Sequence, residues 1–350
     1  MKAKVSGTKK KINGTTFLLM ITILLFVVMY AAGMIVFNDK GFAKPQMFLN
    51  LFISNAGLLV IAMGETIVMI TAGIDISVGS VTALVCMVAA NQMENHGASA
   101  YTALLMALVI GLLFGLVQGF LVSYLEIQPF IVSLAGMFFG RGMTSIISTD
   151  MISIKNKTFL AWANYKIYLP IGSYSRRGKF IPAYIYPTVI IAILIFIVIA
   201  IIMKYTKFGR EVYAIGGNAQ SAMMMGLNVK KTKFKAYVLD GLLAGCGGFL
   251  FCLNSCSGFV EQAKGLEMDA ISASVIGGTL LSGGVGTPFG TVFGVLIKGT
   301  ISSLITTQGT LSSWWVRIAL SALLCFFIVL RALSCMTSVT CRCLFVFFLK

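Results

Sequence analysis

Apolar runs of transmembrane length follow one another along nearly the whole chain, and this constrains the fold more than any motif does. Crossing a bilayer core takes about 20 apolar residues as a helix, because no water is present there to satisfy an open backbone. About ten runs qualify: 16–37, 48–71, 76–90, 101–125, 129–148, 184–203, 236–256, 268–282, 287–307 and 315–331. The third and eighth are short and flanked by glycine. Hydrophobic residues make up 58% of the 350 and mean hydropathy is +0.94, which excludes a soluble globular domain. The expected fold is an all-α polytopic membrane protein with about ten transmembrane helices in two loosely related halves.

The net charge of +16 follows from topology rather than from nucleic acid, since Lys and Arg gather at the ends of apolar runs. With a cytosolic N-terminus, 15 Lys and Arg fall on the inside, including Lys2, Lys4, Lys9, Lys10 and Lys11, and nine fall outside. The first run is too long for a signal peptide and reads as an uncleaved anchor. The eight cysteines form no CxxC pair, so neither a disulfide framework nor a zinc site is expected.

One polar segment breaks the pattern. Residues 204–237 carry seven of the 27 basic residues and one acid, Glu211, which places the segment in cytosol. Within it Asn218 can cap a short helix, AQSAMMM, that Gly226 ends in a left-handed conformation. Small and Met side chains make such a helix an adaptable knob for a groove on another protein. The four lysines that follow, Lys230, Lys231, Lys233 and Lys235, suit anionic membrane lipid.

Two apolar stretches are interrupted by glycine in a similar way: ITAGIDISVGS at 70–80 and IGGTLLSGGVGT at 276–287. Paired broken helices point to a transport path, whereas any single glycine only permits close packing. Gly111, Gly115 and Gly119 form one small-residue stripe, and Gly286, Gly290 and Gly294 another. The ionisable residues within or beside the runs are Glu65, Asp75, Glu126, Arg141, Asp240, Asp269, Lys298 and Arg317. Intramembrane charge faces the bundle interior, a partner or water, although Glu126, Asp269 and Arg317 also sit where snorkelling explains them. Glu65 and Asp75 bracket the Gly73 break, so they either cap it or touch cargo. No Walker A pattern, HExxH or GxSxG occurs, and the single histidine, His96, falls in a solvated turn. No catalytic residue, metal site or cofactor is expected.

The strings TAGIDISVGSVTAL, FGREVYAIGGNAQSAMMMGLNV and LEMDAISASVIGGTLLSGGVGTPFGTVFG resemble the three signatures of permease subunits in ribose-type sugar ABC importers. The resemblance implies half of a translocation pathway completed by a second permease as a heterodimer, with a cytoplasmic ABC ATPase and a periplasmic sugar-binding protein as further partners. It makes 204–235 a coupling loop, in which Gly216, Gly217, Asn218, Ala222 and Gly226 meet the ATPase. ATP then binds the partner, in keeping with the missing Walker A. Expected path residues are Glu65, Thr66, Asp75, Ser77, Ser80, Thr279 and Ser282, with low affinity for free sugar. Residues 309–331 and the spacing of VYAIGGNAQSA are similar to galactofuranose permeases of enteric bacteria, with ribose, xylose or galactose as alternative cargoes. The expected organisation is a basic N-terminus over 1–15, a permease domain over 16–331 in the inner membrane, and an atypical tail over 332–350. Competing classes are a stand-alone secondary transporter working through Glu65 or Asp75, and a lipid-linked sugar transferase.

Overall fold

A computed structural model describes residues 14–174, 180–310, 312 and 314–337. The N-terminal lysines and the last 13 residues of the atypical tail, 338–350, lie outside this range. Each of the ten apolar runs contains a helix, although the run 268–282 leaves it after Ile276. They form α1 (Gly14–Val36), α2 (Pro45–Ile70), α3 (Val78–Asn95), α4 (Ala100–Ser123) and α5 (Pro129–Ile147). A short α6 (Lys157–Asn164) and a hairpin of β2 (Ile167–Tyr174) and β3 (Phe180–Ile185) follow β1 (Ile152–Ser153). Then come α7 (Pro187–Tyr205), α8 (Lys207–Gly217), α9 (Ala219–Met224), α10 (Val229–Ser255), α11 (Leu266–Ile276), α12 (Pro288–Gln308) and α13 (Trp314–Thr337), with β4 (Ser257–Gly258) after α10. Proline opens α2, α5, α7 and α12, where its missing N–H leaves no helical bond unmade.

Seven of these helices are long and apolar enough to cross a membrane alone: α1, α2, α4, α5, α7, α10 and α12. The two short glycine-flanked runs are the exceptions expected of them. With 11 residues, α11 is only about 16 Å long and cannot span. The last turns of α3 are polar and reach beyond the apolar zone, where Glu94 accepts hydrogen bonds from the backbone of Lys155 and Asn156. In α13 the apolar stretch is Trp314–Val329.

The centre of the bundle is α2 crossed by α10, with α4 packed along α10. In lipid no hydrophobic force drives helices together, so contact depends on close backbone approach. A β-carbon on Gly111 would lie 2.8 Å from Gly245 Cα, and one on Gly241 would lie 2.6 Å from Gly115 Cα. The Gly111 stripe therefore packs, and its counterpart on α10 is Gly241 and Gly245. The large side chains Tyr101, Leu105, Val109 and Phe120 point outward from α4 instead. The second stripe is discontinuous: Gly290 and Gly294 face Gly277 and Ala273 of α11, but Gly286 lies in the loop before α12.

The polar segment departs most from expectation. Instead of one loop it holds two helices, and α10 begins at Val229, seven residues before the run that marks it in the sequence. Asn228 caps α10 by accepting from Lys231 N, so the lysines occupy its first turns.

Candidate functional site

Three sequence motifs far apart in the chain meet at one point. Ile70 ends α2, and its carbonyl accepts a hydrogen bond of 2.9 Å from Gly284 N in the loop after α11. Helix α8 lies over this contact. Its buried residues Gly209, Val212, Ile215 and Gly216 share one face, and a β-carbon on Gly216 would fall on the Ile70 carbonyl. Gly283 and Gly284 hold φ of +85° and +75°, which few residues other than glycine adopt, and they meet Ala72, Gly216 and Gly217. Tyr213 donates from its hydroxyl to the Gly286 carbonyl at 2.8 Å, and Glu211 accepts from Thr232 Oγ1 of α10 at 2.8 Å. The two glycine breaks are thus one joint, with α8 clamped across it.

Beyond the clamp, α9 forms as its local chemistry dictates. Asn218 Oδ1 accepts from Ser221 N at 2.9 Å, and Gly226 at φ +83° closes the helix, with Leu227 N donating to the Ala222 carbonyl. Ala222 is buried, while Met223, Met224 and Met225 are 64%, 83% and 69% exposed. Gly217 and Gly226 have no neighbour where a β-carbon would stand, so this surface is open. On the same side Lys230 pairs with Glu126 at 2.9 Å and holds that carboxyl below its ordinary range.

Most of the expected path residues are buried within the bundle, near the joint. Glu65, Thr66, Asp75, Ser77, Ser80 and Thr279 are buried, and Ser282 is exposed. Thr66 Oγ1 shares hydrogen bonds with Thr291 Oγ1 at 2.7 Å and Ser274 Oγ at 3.0 Å, tying α2 to α12 and α11. Ser77 N donates to Asp75 Oδ1 at 2.7 Å, and Asp75 N donates to Glu65 Oε1 at 3.3 Å, so the two acids do hold the broken backbone. With its amide nitrogen turned to Asp75, Gln118 of α4 donates to that carboxyl at 3.2 Å and accepts from Ser77 Oγ. Asp240 of α10 is buried against Gly64 of α2, and neither of its carboxyl oxygens has a hydrogen-bond partner among the described residues. Tyr237 places its buried hydroxyl beside Gly73. Among the described residues no cation joins these three acids.

Arg141, Lys298, Asp269 and Arg317 each have a partner, either an opposite charge or backbone carbonyls. Arg141 donates to the carbonyls of Val260 and Gln262 at 2.9 and 2.6 Å. Lys298 meets Asp269 at 3.2 Å, and Arg317 donates to the Lys264 carbonyl at 3.2 Å. Sequence reasoning missed Gln118, Tyr237, Ser274 and Thr291, which lie in ordinary helical runs with no local signal. Among the described residues no cluster of His, Cys, Asp or Glu could hold a metal ion.

Residues 47–329 match the family described as "Branched-chain amino acid transport system / permease component". The chain is 41% identical over 315 residues to the inner membrane ABC transporter permease protein YjfF of Escherichia coli, covering 89% of this chain and 91% of that one. It is 31% identical to the fructose import permease protein FruG of Bifidobacterium longum, over 94% of this chain and 95% of the relative. It is 35% identical to the ribose import permease protein RbsC of Bacillus subtilis, over 78% of this chain and 81% of the relative. No solved structure matches it. The matched residues take in both breaks, the clamp and α9, and the chain belongs to this family of permease components, as a multi-pass inner-membrane subunit of an ABC importer without an ATPase site of its own.

Proposed function

We propose that this chain is one of two permeases lining the path of a monosaccharide ABC importer, with galactofuranose as the first cargo to test and ribose, xylose or galactose as alternatives. The observation that carries the reading is α8 seated on both glycine breaks with the exposed Met face of α9 beyond it. A partner that grips α9 acts through a rigid short lever on the joint between α2 and the α11–α12 loop. Each nucleotide state of a cytoplasmic ATPase favours one setting of that joint, which is what alternating access requires. Gly216 and Gly217 then serve as the fulcrum, and Asn218, Ala222 and Gly226 shape the knob. A periplasmic binding protein delivers cargo, and a second permease completes the path. The names of FruG and RbsC specify sugar import, which supports the carbohydrate class. The permease domain spans 16–331, a cytoplasmic basic N-terminus covers 1–15, and 332–350 carries no assigned role.

The test is ATP-dependent uptake of labelled galactofuranose, ribose and galactose in vesicles holding the chain, its partner permease, ATPase and binding protein. Met224→Glu puts a charge on the exposed knob without touching the fold. Uptake should fall about ten-fold or more, as for a charge buried at the centre of an interface, while the two permeases still copurify. Uptake by this chain alone, without ATP, would overturn the reading in favour of a secondary transporter.

A further inference from the structure

The loop between α10 and α11 does something unusual for an extracytoplasmic connection: it descends into the middle of the bundle. Its depth can be measured against α5, which starts at the cytosolic side with Pro129. Ser80 packs on Gly140, 11 residues or about 16 Å up that helix. Gly79, the neighbour of Ser80, faces the Ala263 carbonyl, which a β-carbon there would approach to 3.2 Å. Arg141, one residue above Gly140, holds the carbonyls of Val260 and Gln262. On the other side of the loop, Lys298 pairs with Asp269 ten residues, about 15 Å, above the start of α12. Two independent helices therefore place residues 260–269 near the midplane of a core about 30 Å thick.

Non-helical backbone at that depth is tolerated only where it is buried in protein or lines water. Here it carries exposed charges. The side chains of Lys264 and Glu261 pair at 2.6 Å and are 67% and 66% exposed, and Arg317 is exposed as it donates to the Lys264 carbonyl. The Lys298 and Asp269 side chains remain 19% and 28% exposed. Charges at the midplane do not face acyl chains, so this surface faces water or the second permease proposed above.

We propose that Arg141, Glu261, Lys264, Asp269, Lys298 and Arg317 form a hydrated belt at the floor of an outward-opening vestibule, where a neutral polyhydroxyl cargo is received. The two acids each face a lysine, and Arg141 and Arg317 are turned to carbonyls, so the belt offers both donors and acceptors to a cargo. A sugar hydroxyl, both donor and acceptor, suits such a surface. The cargo class rests on the function proposed above; the vestibule does not.

The test uses the complete transporter in intact cells, with Lys264→Cys and Glu261→Cys made separately and a charged, membrane-impermeant thiol reagent added from outside. The unsubstituted chain sets the background. Tyr168→Cys in the exposed hairpin is the positive control, and Leu105→Cys on the apolar face of α4 the negative one. The expected result is that positions 264 and 261 react as readily as 168, that 105 does not react, and that modification at 264 abolishes sugar uptake. Reaction at 264 and 261 only with a membrane-permeant reagent, or not at all, would overturn the vestibule. Labelling that leaves uptake at its unmodified rate would remove the belt from the path. If the unsubstituted assembly fails to take up any sugar, the cargo reading falls while the labelling pattern still decides the vestibule.

Discussion

The molecule keeps charge inside the membrane in two ways. At the joint, Glu65, Asp75 and Asp240 are sealed among α2, α4 and α10, and no cation among the described residues joins them. In the belt, Asp269 and Glu261 each face a lysine and remain partly exposed. The sealed acids hold backbone: Asp75 and Glu65 take N–H groups of the broken helix, Gln118 donates to Asp75, and the oxygens of Asp240 have no partner among the described residues. The belt holds side chains against one another and leaves them wet. A region without water is organised by shape and hydrogen bonds, whereas a region with water can afford paired charge.

The largest effect expected from this contrast is steric. Gly64 of α2 faces Asp240, whose Cα would lie 3.1 Å from an added β-carbon and whose carboxyl would overlap it. Gly64→Val should destabilise the bundle by about 3 kcal/mol through overpacking, read as a lower melting temperature in detergent. Gly142, beside Arg141 at the belt, has nothing within 4 Å of the same added atom. Gly142→Val should leave the melting temperature within the scatter of the unsubstituted protein. Equal losses at both sites would mean that the belt face is packed, not open.

Breaking a charge pair comes next. Lys298→Met removes the partner of Asp269 and also a weak contact of 3.5 Å with Asn55 Oδ1. A fully buried pair broken in this way costs about 3–5 kcal/mol. Because both side chains reach solvent, about 1–2 kcal/mol is expected here. Adding Asp269→Leu should restore most of the loss in a double-mutant cycle, since no orphan charge remains. A single variant as stable as the parent would show that Asp269 is already satisfied by water.

How far these regions could be read from sequence depends on the range of the forces that build them. Asn218 and Gly226 were legible because a cap and a left-handed helix end are local backbone chemistry, set within a few residues. Both glycine breaks were legible as interruptions, and so was the pairing of Glu65 with the Gly73 turn. That the breaks touch each other under α8 was not, because the contact joins Ile70 to Gly284 across most of the chain. Helix α8 itself escaped notice since its buried face is narrow, two glycines with Val212 and Ile215, within a polar segment. Arg141, Asp269, Lys298 and Arg317 were visible as costly charges. Only the descent of residues 257–265 brings them to one level, and nothing in that short polar stretch announces its depth.

The smallest effect is the most discriminating. Asp240→Asn keeps the shape of the side chain and replaces a buried carboxyl that has no hydrogen-bond partner among the described residues with an amide that carries no charge at any pH. The expected change in stability is below about 1 kcal/mol, in keeping with a volume-conserving swap that takes no hydrogen bond away. Removing an acid from the sealed cluster should therefore matter less than removing the lysine from the belt, although Asp240 is fully buried and Lys298 is not. Infrared difference spectroscopy offers a direct reading, because a carboxyl that holds a proton shows a C=O stretch that a carboxylate lacks. If that band is present in the parent and lost in Asp240→Asn, the acids at the joint hold backbone as neutral hydrogen-bonding groups. A destabilisation larger than that of Lys298→Met would mean that Asp240 acts as an anion whose partner has yet to be found, and the distinction between the two regions would collapse.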